Sequence, residues 1–146
     1  MIMDHKLKLM VVDDSPLFRT WLIRSLSEDD RFQVVGYAVN ALDAQEKIPL
    51  LQPDMLTLDI EMPGMSGIEF LKQLLPVHPI PVILVSSLNL RVFDALEAGA
   101  VDFVRKPDEA NGLSKEIFLS MLRSKLMVAA ASHVHLPSAP ADPQAG

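Results

Sequence analysis

Apolar residues gather in five short runs, at positions 7–12, 32–38, 55–58, 82–85 and 102–104, and a stretch of helical periodicity follows each one. Within a run the apolarity is continuous rather than alternating, the pattern of a strand covered on both faces. The run at 55–58 is the least regular, because Thr57 interrupts it. Ser15 can cap the first helix, with Pro16 at the first helical position, where a missing N–H costs nothing. Phe18, Leu22 and Leu26 then fall four apart, with Trp21 beside them, and form one buried stripe. Asn40 can cap a second helix, which Pro49 limits to two or three turns. A third spans about 67–75, ahead of Pro76, Pro79 and Pro81. The fourth is short, about 90–98, with Gly99 as its stop. The fifth spans about 114–131, with Ile117, Met121 and Leu122 on its apolar face and Lys115, Arg123 and Lys125 outside.

Strands alternating with helices over short links predict a parallel sheet, and right-handed crossovers place helices on both of its faces. Five such units in 146 residues fit one α/β domain with a doubly wound five-stranded sheet of the flavodoxin-like kind, strand order 2-1-3-4-5. The domain is expected to occupy residues 7–131. Residues 132–146 hold three prolines and no Lys or Arg, and read as a flexible tail or the start of an interdomain linker.

Composition narrows the function. Thirteen Lys plus Arg against nineteen Asp plus Glu gives a net charge of −6, which argues against nucleic-acid binding by this chain. The absence of cysteine removes disulfides, thiolate metal sites and thiol nucleophiles. No apolar run is long enough to span a bilayer, and the first residues lack a signal-peptide core, so the expected compartment is the cytoplasm. No P-loop or dinucleotide glycine pattern occurs.

In such sheets, ligands bind beyond the carboxyl ends of the strands. Asp13 and Asp14 follow the first strand, Asp59 and Glu61 the third, Ser86 and Ser87 the fourth, and Lys106 and Pro107 the fifth. Three carboxylates at one rim repel, and each disfavours ionisation of the next. A hard divalent cation such as Mg²⁺ resolves that conflict, and an ammonium opposite adds compensating charge. Metal, lysine, hydroxyl and aspartate nucleophile are the parts needed to move a phosphoryl group onto a carboxylate. Singly, each has a plainer explanation: an acidic pair is often a solvated helix cap, Ser86 a satisfied strand-end hydroxyl and Lys106-Pro107 a turn. Their joint occurrence at four strand ends favours the chemical one.

The same residues carry a family likeness. Val11-Val12-Asp13-Asp14-Ser15, Leu58-Asp59-Ile60-Glu61-Met62-Pro63-Gly64, Val85-Ser86-Ser87 and Ala98-Gly99-Ala100-Val101-Asp102-Phe103-Val104-Arg105-Lys106-Pro107 together resemble a response-regulator receiver domain of two-component signalling, with the CheY-like fold. The resemblance implies Asp59 as phosphoacceptor and a histidine kinase as phosphodonor. It implies Mg²⁺ held by Asp14 directly, by Asp13 nearby, by Asp59 and by the backbone carbonyl of Glu61. Lys106 would bind one phosphoryl oxygen and Ser86 another, with Phe103 the switch aromatic and the surface of helix 4, strand 5 and helix 5 the output. It also implies a cis Lys106–Pro107 bond.

Within that family, Ser86-Ser87-Leu88 and Ala95-Leu96-Glu97-Ala98-Gly99 resemble the regulatory domain of chemotaxis protein-glutamate methylesterases. The alternative function is thus a regulatory fragment whose hydrolase domain lies beyond residue 146, with that domain or a chemotaxis protein as partner. By itself the receiver is not a turnover enzyme, and no Ser-His-Asp set is present. The stretch from Ser87 to Gly99 is about one helical turn shorter than the family pattern. A Mg²⁺-dependent phosphatase and a degenerate docking module are the remaining readings. His133 and His135 carry no metal expectation without a third ligand.

Overall fold

The computed structural model describes residues 6–87 and 91–135. Its strands are β1 (Leu7–Val12), β2 (Phe32–Ala38), β3 (Met55–Leu58), β4 (Val82–Ser86) and β5 (Asp102–Arg105). Its helices are α1 (Pro16–Ser27), α2 (Ala41–Leu51), α3 (Gly67–Leu74), α4 (Val92–Glu97) and α5 (Lys115–His135). A short 3₁₀ turn, Glu109–Asn111, precedes α5 and has no counterpart in the sequence pattern.

All strand pairs are parallel and the order is β2-β1-β3-β4-β5, as expected. Side chains alternate across each strand, so one strand feeds two cores. Leu9 and Val11 enter one cluster with Leu22 and Leu26 of α1 and Phe118, Leu122 and Leu126 of α5. Met10 and Val12 enter the other, with Ala44 and Ile48 of α2, Phe70 and Leu71 of α3 and Ala95 of α4. That double cover is why the runs carry apolar residues on both faces. Thr57, the apparent interruption, is itself buried.

The helix ends follow local chemistry. Ser15 Oγ accepts from the Phe18 N–H at 3.4 Å and Pro16 opens α1. Asn40 Oδ1 accepts from Asp43 N at 2.8 Å to cap α2, and Ser66 Oγ accepts from Glu69 N at 3.2 Å to cap α3. α2 runs past Pro49 to Leu51 and ends on Gln52 with φ of 50°, the one positive φ among described non-glycine residues. Gly99, with φ of 119°, stops α4 as expected.

Four expectations are corrected. α4 starts at Val92; Leu90, its expected start, lies outside the described residues with Leu88 and Asn89. α5 continues to His135, so residues 132–135 of the expected tail are helical, and 136–146 lie outside the described residues. The buried face of α5 is set by Phe118, Leu122 and Leu126, which leaves Ile117 and Met121 half exposed to solvent. Arg123 and Lys125 turn inward instead: Arg123 Nη2 donates to Ser25 O at 2.9 Å, and Lys125 Nζ reaches Asp102 Oδ1 and Phe103 O at 3.0 and 2.7 Å. Finally, no described peptide bond is cis, so Lys106–Pro107 takes the trans form that X–Pro bonds intrinsically prefer.

Candidate phosphoacceptor site

The strand order reverses at β1, which pairs β2 on one side and β3 on the other, and a doubly wound sheet opens its crevice at such a reversal. Asp59 N donates to Val12 O at 3.0 Å and Asp13 N to Ala38 O at 3.0 Å, so the acids leave the sheet side by side at its carboxyl edge. Carboxylate oxygens of Asp13, Asp14 and Asp59 all lie within 4.8 Å of one another. Asp13 and Asp59 are buried, and Asp14 faces solvent.

Both buried carboxylates are held the same way. Asp13 Oδ1 accepts from Ser15 N at 2.8 Å, and Asp59 Oδ1 accepts from Glu61 N at 3.1 Å. Each is an Asx turn, in which the side chain binds a backbone N–H two residues on. The second oxygen of each faces a single ammonium: Lys106 Nζ stands 3.0 Å from Asp13 Oδ2 and 3.2 Å from Asp59 Oδ2. Lys106 directly follows β5 and is aimed by its N–H, which donates to Ser86 O at 3.0 Å.

Burial pushes the Asp59 carboxyl above its ordinary pKa; Lys106 and the Glu61 N–H oppose that, Asp13 reinforces it, and burial prevails. For Lys106, burial works to discharge the ammonium, but the carboxylates of Asp13 and then Asp59 outweigh it and raise the pKa. Three carboxylates against one nearby ammonium leave an excess of negative charge. An all-oxygen donor set of this kind fits a hard divalent cation such as Mg²⁺.

The remaining expected residues are placed as follows. Ser86 is the last residue of β4, buried, opposite Arg105 of β5. Phe103 lies in β5, half-buried against the cluster under α2, α3 and α4. Glu61 gives its N–H to Asp59 and keeps its side chain exposed. Gly67 seats α3 against this loop: a Cβ there would stand 2.8 Å from Ile60 Cα and 3.0 Å from Asp59 O. The side chains of His133 and His135 lie outside the described residues.

The sequence reading missed two neighbours of the site. Arg19 Nη1 donates to the backbone oxygen of Asp13 at 2.8 Å. The Phe18 ring lies 4.6 Å from Lys106 Nζ, although Phe18 reads from the sequence only as part of a buried stripe. The two Asx turns were open to inference from Asp13/Ser15 and Asp59/Glu61, whose spacing is the same.

The family profile of the response regulator receiver domain matches residues 9–118. The chain belongs to that family. It is 46% identical over 130 residues to protein-glutamate methylesterase/protein-glutamine glutaminase 2 of Syntrophomonas wolfei, a match taking in 89% of this chain and 38% of that protein. The protein of the same name from Vibrio vulnificus is 43% identical over 137 residues, 91% of this chain and 40% of the relative. The chain therefore spans about two fifths of the length of these curated relatives. Among solved structures, the response regulator domain of Thermotoga maritima CheB superposes with a TM-score of 0.76 at 37% identity, covering 87% of this chain and 98% of that one. The receiver domain of NarL from Mycobacterium tuberculosis gives a TM-score of 0.65 at 33% identity, over 77% of this chain and 93% of that one. This receiver is thus of the methylesterase type, and no described helix is long and apolar enough to cross a membrane.

Proposed function

We propose that this receiver is a phosphorylation switch whose acceptor is Asp59, charged by a phosphohistidine of a partner kinase in chemotaxis signalling. The observation that carries this reading is the Asp59 carboxylate itself: buried, anchored through Oδ1 to the Glu61 N–H, and facing Lys106 through Oδ2 beside Asp13 and Asp14. An oxygen of Asp59 attacks phosphorus as the P–N bond to the donor imidazole breaks, giving an acyl phosphate and a free imidazole that takes up a proton. Lys106 draws one phosphoryl oxygen, so charge developing on the group meets a fixed cation. Asp13, Asp14, Asp59 and the Glu61 carbonyl would hold Mg²⁺, which when bound would offset the negative charge of the acids and the phosphoryl group together. Loss of the group occurs by water attack on phosphorus, releasing inorganic phosphate and restoring the carboxylate.

Ser86 donates its hydroxyl to a second phosphoryl oxygen, Phe103 turns inward as Ser86 moves, and the surface of α4, β5 and α5 changes its populated state. The exposed apolar side chains there, Phe93, Val101 and Met121, support its use as a docking face.

A second reading fits alongside the first. The match to two fifths of methylesterase relatives supports this chain as their regulatory part, with the domain at 7–131, a linker after it, and a following hydrolase that demethylates receptor glutamates in the cytoplasm. The deciding experiment is the intact mass after exposure to a small-molecule phosphodonor, with and without Mg²⁺. The parent gains one phosphoryl group only with Mg²⁺, and Asp59→Asn gains none. A parent that stays at its own mass removes the acceptor reading.

A further inference from the structure

The Lys106 ammonium has a third neighbour besides its two carboxylates. It lies over the face of Phe18, 4.6 Å from the ring centroid. Phe18 belongs to the first turn of α1, where its N–H is tied to Ser15 Oγ, so the turn that anchors Asp13 also places the ring. Two further rings back it. Phe18 lies 5.7 Å from Trp21 and 5.9 Å from Phe118, and these two are 5.9 Å apart, so three rings are in mutual contact. Phe118 is fully buried, which anchors the group to α5.

A lysine side chain is a point charge on a flexible four-carbon stem, and nothing in its chemistry fixes where the ammonium rests. The carboxylates of Asp13 and Asp59 attract it over a range of directions. An aromatic face is electron-rich and attracts a cation along one direction, whereas an aliphatic side chain of similar volume fills space without that preference. The geometry points to Phe18 as a positioning residue: its ring face, clamped by Trp21 and Phe118, holds Lys106 Nζ against Asp13 and Asp59, ready for the phosphoryl group. This inference rests on the reading of Asp59 as acceptor. Phe18 touches no reacting atom, so its loss slows transfer without abolishing it.

The test compares the full chain with Phe18→Leu, which keeps an apolar side chain and loses the ring, and Phe18→Tyr, which keeps the ring. With a small-molecule phosphodonor and Mg²⁺, Phe18→Leu gains phosphoryl mass about three- to tenfold more slowly than the parent, the range a cation–π contact supports, and Phe18→Tyr returns to within about twofold. Proton spectra supply a readout that lost packing alone would not produce. The methylene protons next to Lys106 Nζ are shifted upfield by the ring in the parent and in Phe18→Tyr, and revert in Phe18→Leu. Equal rates for Phe18→Leu and the parent overturn the inference, and so does a Phe18→Tyr protein as slow as Phe18→Leu. If Phe18→Leu does not fold, the folded parent still decides, because unshifted Lys106 methylenes overturn the contact. A parent with shifted methylenes that gains no phosphoryl mass overturns the acceptor reading and Phe18's role in transfer with it.

Discussion

Asp59 is costly to bury as a charge, and that cost makes it measurable. Its folded pKa is raised, by burial first, so ionised Asp59 weakens the fold. The stability it contributes is complete below the unfolded carboxyl pKa of about 3.9 and is lost as pH rises through the raised folded value. Asp59→Asn has no such loss. The variant is therefore expected to unfold at a higher temperature than the parent at pH 7, with the gap closing as the pH falls toward 4. Thermal melts across that range check it, and a variant less stable than the parent at pH 7 would refute it. Because the ionised carboxylate is the form that ligates a cation, Mg²⁺ at the proposed site is expected to raise the parent's melting temperature in the same window and to leave Asp59→Asn nearly unchanged. The acids and Lys106 were legible because polar residues ended otherwise apolar runs, at strand ends where this fold binds ligands. Phe18 was not, since hydrophobic periodicity reports that a ring is covered and not what covers it.

At the scale of elements, α1 and α5 are bound together by more than their apolar faces. Asp29, just past α1, takes Arg31 Nη2 at 2.7 Å and stands 3.6 Å from Arg123 Nε of α5. The Arg31 hydrogen bond foremost lowers the Asp29 pKa, against the effect of burial. Here the sign is opposite to that of Asp59: stability is present above the unfolded carboxyl pKa and is lost as pH falls through the depressed folded one. Asp29→Asn is expected to melt below the parent by a constant margin at and above about pH 5, and the two curves converge in stronger acid. A margin that persists at pH 2 would contradict this. The helices themselves were readable from caps and periodicity, α1 from Ser15-Pro16 and α2 from Asn40. The facing of α5 was not. Phe118, Leu122 and Leu126 compete with Ile117 and Met121 for the inward side, and only the position of α1 decides between the two stripes.

For the whole molecule, the two cores make unequal demands on the chain. The one under α1 and α5 draws Phe118, Leu122, Leu126 and Ala129 from the last described helix, and without them Leu9, Val11, Ile83, Val85 and Val104 lose their cover. A chain ending at Leu113 is expected to lose cooperative unfolding, because several large side chains each worth roughly 2–5 kcal/mol go at once. Calorimetry checks this, and a cooperative transition near the parent's would refute it. The doubly wound topology was legible from five continuous apolar runs, since only a sheet covered on both sides needs them. The extent of α5 was not, because Ser132 and the histidines carry neither a stop nor a cap. The trio of rings at the base of α1 has an optical consequence. Trp21 is the chain's single tryptophan and touches Phe18, the ring that faces Lys106. Its ultraviolet emission is therefore expected to report displacement of Phe18 when Lys106 moves, which would make it a label-free fluorophore for following the proposed acceptor site.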